Sequence, residues 1–312
     1  MMPTPVAWRW LFTLGLLGSV AVVLDLDELW QQLRRLPPSL LLPAFLLTGV
    51  QVALSAWRWR FTAQRLGLRL PYGRAVREYY LASFLNQVLP GGVVGDVGRA
   101  WRHSQHTDHK RGAVHAVVIE RLSGQLALLL VVVAALWWLA PASDLFPGEP
   151  ALWLLLISVG VMVAAWLIRR SRRAGHYLAN LHRDLSRTLF GWRVFAIQLG
   201  TSLLVLASYL ALFLVLAQQA GYLASGAPWL LVAALCSLLL LSMVIPVTVA
   251  GWGVREGAAA VLWPLAGLPA EQGVALSVGY GILVLVSSTP GLVVLVWGQA
   301  KPGLAQATER GG

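Results

Sequence analysis

The chain has 312 residues, 58% of them hydrophobic and only 12% charged, with a mean hydropathy of +0.69. Soluble domains carry about 25% charged residues, so the composition excludes an average soluble domain and points to a polytopic membrane protein. The formal net charge of +11 comes from 24 basic residues, all arginine except Lys110 and Lys301. They cluster in short loops between apolar runs, a pattern of membrane orientation and not of nucleic-acid binding.

The first apolar run, Trp10 to Leu24, follows Arg9. No small-x-small cleavage site precedes Asp25-Leu26-Asp27-Glu28, so the run reads as an uncleaved span. A second span is expected over 39–57, close to the roughly 20 residues a bilayer needs. A basic loop follows at 58–77, with Arg58, Arg60, Arg65, Arg69, Arg74 and Arg77. Residues 86–99 then break the apolar pattern. A second basic loop covers 100–111, a third span runs over 113–140, and 141–150 is a connection whose only charges are Asp144 and Glu149. The second half repeats the plan: a span at 151–168, a basic loop at 169–193, a span at 194–217 and an uncharged loop near Gly221. The run 229–244 leads into a second broken stretch at 245–256, 258–266 leads out, and 273–297 closes the membrane region. Cys236 stands alone in an apolar run and can form no internal disulfide.

The two broken stretches carry the chemistry. Asn86 to Arg99 contains Pro90, Gly91, Gly92, Gly95, Asp96 and Gly98; Ile245 to Glu256 contains Pro246, Gly251, Gly253 and Arg255. Proline and glycine free backbone groups that need partners, and in hydrocarbon each orphan costs several kcal/mol, so such backbone must pack inside protein or line a wet cavity. Pro90 and Pro246, Gly95 and Gly251, and Arg99 and Arg255 are all 156 residues apart, half of 312. An internal duplication produces that offset. The expected fold is therefore an all-α polytopic membrane protein and a single membrane domain, with repeats at about 1–145 and 146–300 and a short cytoplasmic tail at 301–312. Each repeat holds three spanning helices and one broken or re-entrant helix pair.

The positive-inside rule places the arginine-rich loops 58–77, 100–111 and 169–193 in the cytoplasm and the loops 25–38, 141–150 and 218–228 outside. The first broken stretch must then enter and leave on one side. Three full spans per half turn the second repeat upside down, and both termini are expected in the cytoplasm. Inverted repeats with discontinuous helices meeting near the midplane are a transporter design. Half-helix N-termini offer free N–H groups and positive dipole ends to anions, and the arginine fork suits phosphate. A phosphate-bearing lipid is the expected ligand, with Asn86, Asp96, Arg99, Glu120, Arg121, Arg255 and Glu256 as candidate contacts. Pro90, Gly91, Gly92, Gly95, Pro246, Gly251 and Gly253 would break the helices and admit the headgroup to the backbone.

Leu85-Asn86 through Leu89-Pro90-Gly91-Gly92, then Gly95-Asp96 and Arg99, resembles the signature of flippase-like membrane proteins related to the transmembrane domain of lysylphosphatidylglycerol synthases. Glu120-Arg121-Leu122, Gly251-x-Gly253-Val254-Arg255-Glu256-Gly257 and Pro290-Gly291 extend the likeness over nearly the whole chain. The resemblance implies a bacterial-type inner-membrane protein that moves lipid between leaflets, or a close relative of unproven activity; the expected partners are a membrane lipid substrate and lipid-synthesis enzymes. Members often carry an arginine near Ser277 to Gly281, and this chain has none.

Duller readings compete. Arg99 could be a helix-end arginine snorkelling to phosphates, Asp96 a helix cap, and Glu120 with Arg121 a structural pair. His103, His106 and His109 fit no zinc spacing, so no metal is expected, and no P-loop or other cofactor motif is present. A membrane-embedded lipid-modifying transferase is the rival class, but no nucleophile–base spacing supports an enzyme. A subunit that only presents lipid to another enzyme is the third.

Overall fold

The computed structural model describes residues 5–34, 36–139, 180–185, 188, 191–223, 228–244 and 248–300. The expected span at 151–168 and Pro246 lie outside them. The described residues form helices, with no strand. Helix α1 covers Pro5–Val23, α2 Leu26–Arg34, α3 Leu41–Arg65, α4 Tyr72–Val88, α5 Val94–Ser104 and α6 Lys110–Leu139; α7 covers Trp192–Gln219, α8 Trp229–Ser242, α9 Val254–Leu265, α10 Ala270–Ser287 and α11 Pro290–Ala300. Among the described residues, four stretches are long and apolar enough to cross a membrane, 38–65, 110–138, 192–219 and 270–297, and α1 with α2 makes a fifth if that bent pair is one span. Large side chains such as Leu126, Leu130, Leu204 and Trp137 point outward from them, as a lipid-facing surface requires. This is a multi-pass membrane protein.

Two expectations change. Residues 25–38 are not simply a loop, because the Asp25 carboxylate accepts the N–H groups of Asp27 and Glu28 at 2.9 and 3.1 Å and starts α2, which bends 101° from α1. The second span does not stop at Trp57: α3 continues to Arg65, and Arg58, expected in a basic loop, is 4% exposed.

The first broken stretch is a helical hairpin. Helix α4 stops at Val88 because the residue before a proline avoids the helical region; Leu89 is extended at φ −102° and ψ 145°. The chain restarts at Val94. Asn86 Oδ1 accepts the N–H of Gly95 at 2.8 Å, Glu78 accepts Arg102 Nε at 2.5 Å, and Arg74 Nη2 lies 2.9 Å from His106 Nδ1. These partners run in opposite order along α4 and α5, so the chain leaves by the end at which it entered. The helices are close enough that a Cβ on Gly95 would overlap the Ala82 carbonyl, which dictates glycine there. Helix α8, at 14 residues, is about 21 Å long, short of the roughly 30 Å hydrocarbon layer. It stops before the second broken stretch and packs against α9.

Advanced by 156 residues, α3 falls on α7, α4 on α8, α5 on α9, and α6 on α10 with α11. Helix contacts recur with the halves exchanged. The pair α6–α8 matches α4–α11, α5–α6 matches α9–α10, and α6–α7 matches α3–α10, while α3 packs on α7. The largest buried apolar cluster, around Leu212, Phe213, Leu235, Trp263 and Tyr280, joins α7 to α10.

Candidate functional site

The two broken stretches meet. Pro90 and Val249 form an isolated antiparallel backbone bridge, and the N–H of Gly91 donates to the Thr248 carbonyl at 3.1 Å. Helix α1 clamps both. Arg9 Nη1 donates to the Pro90 carbonyl at 3.3 Å, while Thr13 Oγ1 accepts the N–H of Val249 at 3.1 Å. Gly91 (φ 102°), Gly92, Gly251 and Gly253 all sit at positive φ, which an ordinary side chain resists, so the junction is built of backbone.

On the first side of the junction lies a buried charge network. Arg99, fully buried, donates Nε to Asp96 Oδ1 at 2.9 Å and Nη2 to Glu120 Oε2 at 2.7 Å. Glu120, also fully buried, pairs with Arg58, whose Nη1 donates to Ser202 Oγ on α7 at 2.8 Å, and accepts Tyr79 Oη at 3.3 Å. Asp96 pairs with Arg121 and accepts Asn86 Nδ2 at 2.8 Å. The Arg99 guanidinium is sandwiched by Trp59 and Tyr79, 4.7 and 4.4 Å from their ring centres. Three guanidiniums thus face two carboxylates, leaving one positive charge unmatched. Arg99 Nη1 is buried with no hydrogen-bond partner. An unpaired buried donor of this kind is costly and prefers an anion.

The second side is smaller and neutral. Arg255, 2% exposed, donates to Glu256 Oε1 at 2.8 Å and to Ser277 Oγ at 2.7 Å, and lies over Trp252 and Tyr280. Glu256 Oε2 accepts the N–H of Gly253 at 2.7 Å, capping α9, and its Oε1 accepts the Ser277 hydroxyl at 2.7 Å. The 156-residue offset carries Arg121 onto Ser277, Glu120 onto Leu276 and Arg58 onto Leu214. The charges of the first network are therefore not repeated at the offset positions.

Of the residues singled out in sequence, Asn86, Asp96, Arg99, Glu120 and Arg121 come together in one network, and Arg255 with Glu256 in another. No described contact joins the two guanidinium groups to each other. Arg58, Arg9, Tyr79, Ser202, Thr13 and Ser277 were missed. For Arg58 a signal existed: Gln51, Ser55, Arg58 and Thr62 fall at helical spacing on one buried face of α3, a polar stripe that a lipid-facing helix would not carry. The histidines do not converge on one point; His103 is buried against Trp59, while His106 is exposed beside Arg74.

Residues 6–291 match the model of the family described as the lysylphosphatidylglycerol synthase TM region. No curated protein matches the chain significantly.

Proposed function

The chain belongs to the lysylphosphatidylglycerol synthase TM-region family, and on that premise we propose that it is a flippase-like transporter of a phosphate-bearing or otherwise polar-headgroup lipid. The membership itself ties the protein to membrane-lipid function. The observation that carries the finer reading is the Pro90–Val249 bridge, which brings two helix breaks from opposite halves to one point. Broken backbone and buried ionisable groups in an apolar protein mark a transport path by default.

In this account the repeats lie inverted in a bacterial-type inner membrane, with both termini cytoplasmic. The headgroup enters at the junction while its acyl chains stay in lipid. Its phosphate takes the unmatched charge of the Asp96–Arg99–Arg121 group and the open Nη1 of Arg99. Arg255, held by Glu256 and Ser277, serves the site from the other half. Rocking of one half against the other then exposes the headgroup to each leaflet in turn. Lipid-synthesis enzymes would supply or consume the cargo.

Reconstitution into vesicles holding a headgroup-labelled phosphatidylglycerol tests this, with leaflet exposure read by an impermeant quencher. Lysine keeps the charge but loses the two-pronged fork. R99K and R255K should each slow translocation about tenfold or more, the worth of one charge-assisted bond. Wild-type rates in both variants, or no translocation by the wild type, would overturn the reading. Conversion of the labelled lipid to a product of different mass would assign a transferase instead.

A further inference from the structure

A second basic centre lies at the far end of the α4–α5 hairpin, away from the bridged loops. A cavity of about 580 Å³ opens there, lined by Gly73, Arg74, Arg77, Glu78, Arg102 and His106. Its only carboxylate among the described residues, Glu78, is 5% exposed and already engaged, accepting Arg102 Nε at 2.5 Å. That bond fixes the Arg102 side chain, while its Nη2 is buried without a hydrogen-bond partner. Gly98, one turn earlier on α5, leaves the room that this guanidinium occupies, since a Cβ there would lie 3.0 Å from Nη1.

The other cations come from α4. Arg74 reaches the His106 ring, and neither Arg74 nor Arg77 has a carboxylate partner among the described ion pairs. Helix α4 begins at this cavity, capped by Pro71 with no side-chain hydrogen bond, so its first N–H groups lack a partner from the cap. A Cβ at Gly73 would meet nothing within 4 Å, leaving the backbone of that first turn open to a ligand. Three guanidiniums from two helices, one unpartnered buried nitrogen and an uncapped helix start all favour the same chemistry.

We infer that this cavity binds a phosphate group, carried either by a lipid headgroup at the membrane surface or by a soluble phosphate ester. The site stands apart from the junction, and its fate does not depend on the transport reading. Convergent arginines hold phosphate by paired, charge-assisted bonds, and the helix start adds N–H donors on the same side. Arginines that merely snorkel to annular lipid would need neither a shared cleft nor a buried carboxylate holding one of them in place.

The test uses the purified full chain in a neutral detergent. The unfolding midpoint is titrated with inorganic phosphate against chloride at equal ionic strength. A parallel titration sets short-chain phosphatidate against the matching diacylglycerol. Saturable stabilisation of the wild type is expected with at least one phosphate ligand and with neither control. Stabilisation by inorganic phosphate identifies a soluble anion, and stabilisation by phosphatidate alone identifies a headgroup; both support the site. R74Q/R77Q should weaken binding about tenfold, whereas R34Q/R193Q, which removes two exposed charges elsewhere, should leave it within about twofold. R102Q replaces the double variant if that fails to fold, with the same expected loss. No saturable effect in the wild type, or equal weakening by R34Q/R193Q, overturns the assignment.

Discussion

Removing the Glu120 carboxylate should unlock the first half of the molecule. Its two oxygens accept Arg58 Nε at 3.2 Å, Arg99 Nη2 at 2.7 Å and Tyr79 Oη at 3.3 Å, and the residue is fully buried. In E120A, Arg99 keeps only Asp96 and Arg58 keeps only Ser202, so two guanidiniums lose their shared acid. Breaking a buried pair by deleting one partner costs about 3–5 kcal/mol, because the other charge stays buried and uncompensated. E120Q keeps the shape and one acceptor and should lose about 1.5–3 kcal/mol, the worth of a hydrogen bond to a charged group. Removing both partners in R58M/E120M exchanges the pair for apolar bulk. It should therefore fall short of the sum of R58M and E120M by about 1–3 kcal/mol. Reversible unfolding in mixed micelles measures the five variants against the wild type. A loss below about 1 kcal/mol in E120A, or strict additivity in the double variant, would refute the reasoning.

Other sites separate the same way. G95A should open the α4–α5 hairpin at a cost of about 2 kcal/mol or more, since the new Cβ meets the Ala82 backbone, which cannot move alone. By contrast G18A, in the α1 helix with nothing within 4 Å, should be neutral or stabilise by up to about 1 kcal/mol. S277A removes bonds to both Glu256 and Arg255 and should cost about 1–3 kcal/mol in the same unfolding assay, more than T201A, whose hydroxyl bonds only its own helix. Burial holds the His103 imidazole, outside the four spanning stretches, below its ordinary pKa of 6.5. The unfolded chain then binds the proton more tightly, so the His103 contribution is complete above about pH 6.5 and is lost as the pH falls. H103L should flatten the wild-type decline in unfolding midpoint between about pH 7 and pH 5.

Much of the site was legible because charge inside an apolar run is rare. Asp96, Arg99, Glu120, Arg121, Arg255 and Glu256 each break such a run, and Pro90 forces the helix end that the structure shows at Val88. The all-helical, multi-pass character was likewise legible in the long apolar runs between arginine clusters. Arg58 was hidden because its place after the apolar residues 39–57 looked like a loop. Only the buried stripe from Gln51 to Thr62 and the distant Glu120 make it a helix residue. Arg9 and Thr13 carry no local signal for meeting the two loops, since such contacts between distant segments depend on tertiary packing. Nor does sequence spacing alone say that the charge network is concentrated in one half, because that depends on which side chains the folded helices bring within reach.

If the two bridged loops form one moving site, tying them together should stop transport, and separating them should restore it. A P90C/V249C pair in a C236S background tests it, because directly opposed residues of an antiparallel bridge lie about 4.5–5.5 Å apart at Cα, within disulfide reach. Translocation of labelled phosphatidylglycerol is measured on this protein after oxidation and again after reduction. The expected result is efficient cross-linking that arrests translocation and a return of activity with reductant. Failure to cross-link, or undiminished translocation by the cross-linked protein, would contradict the account.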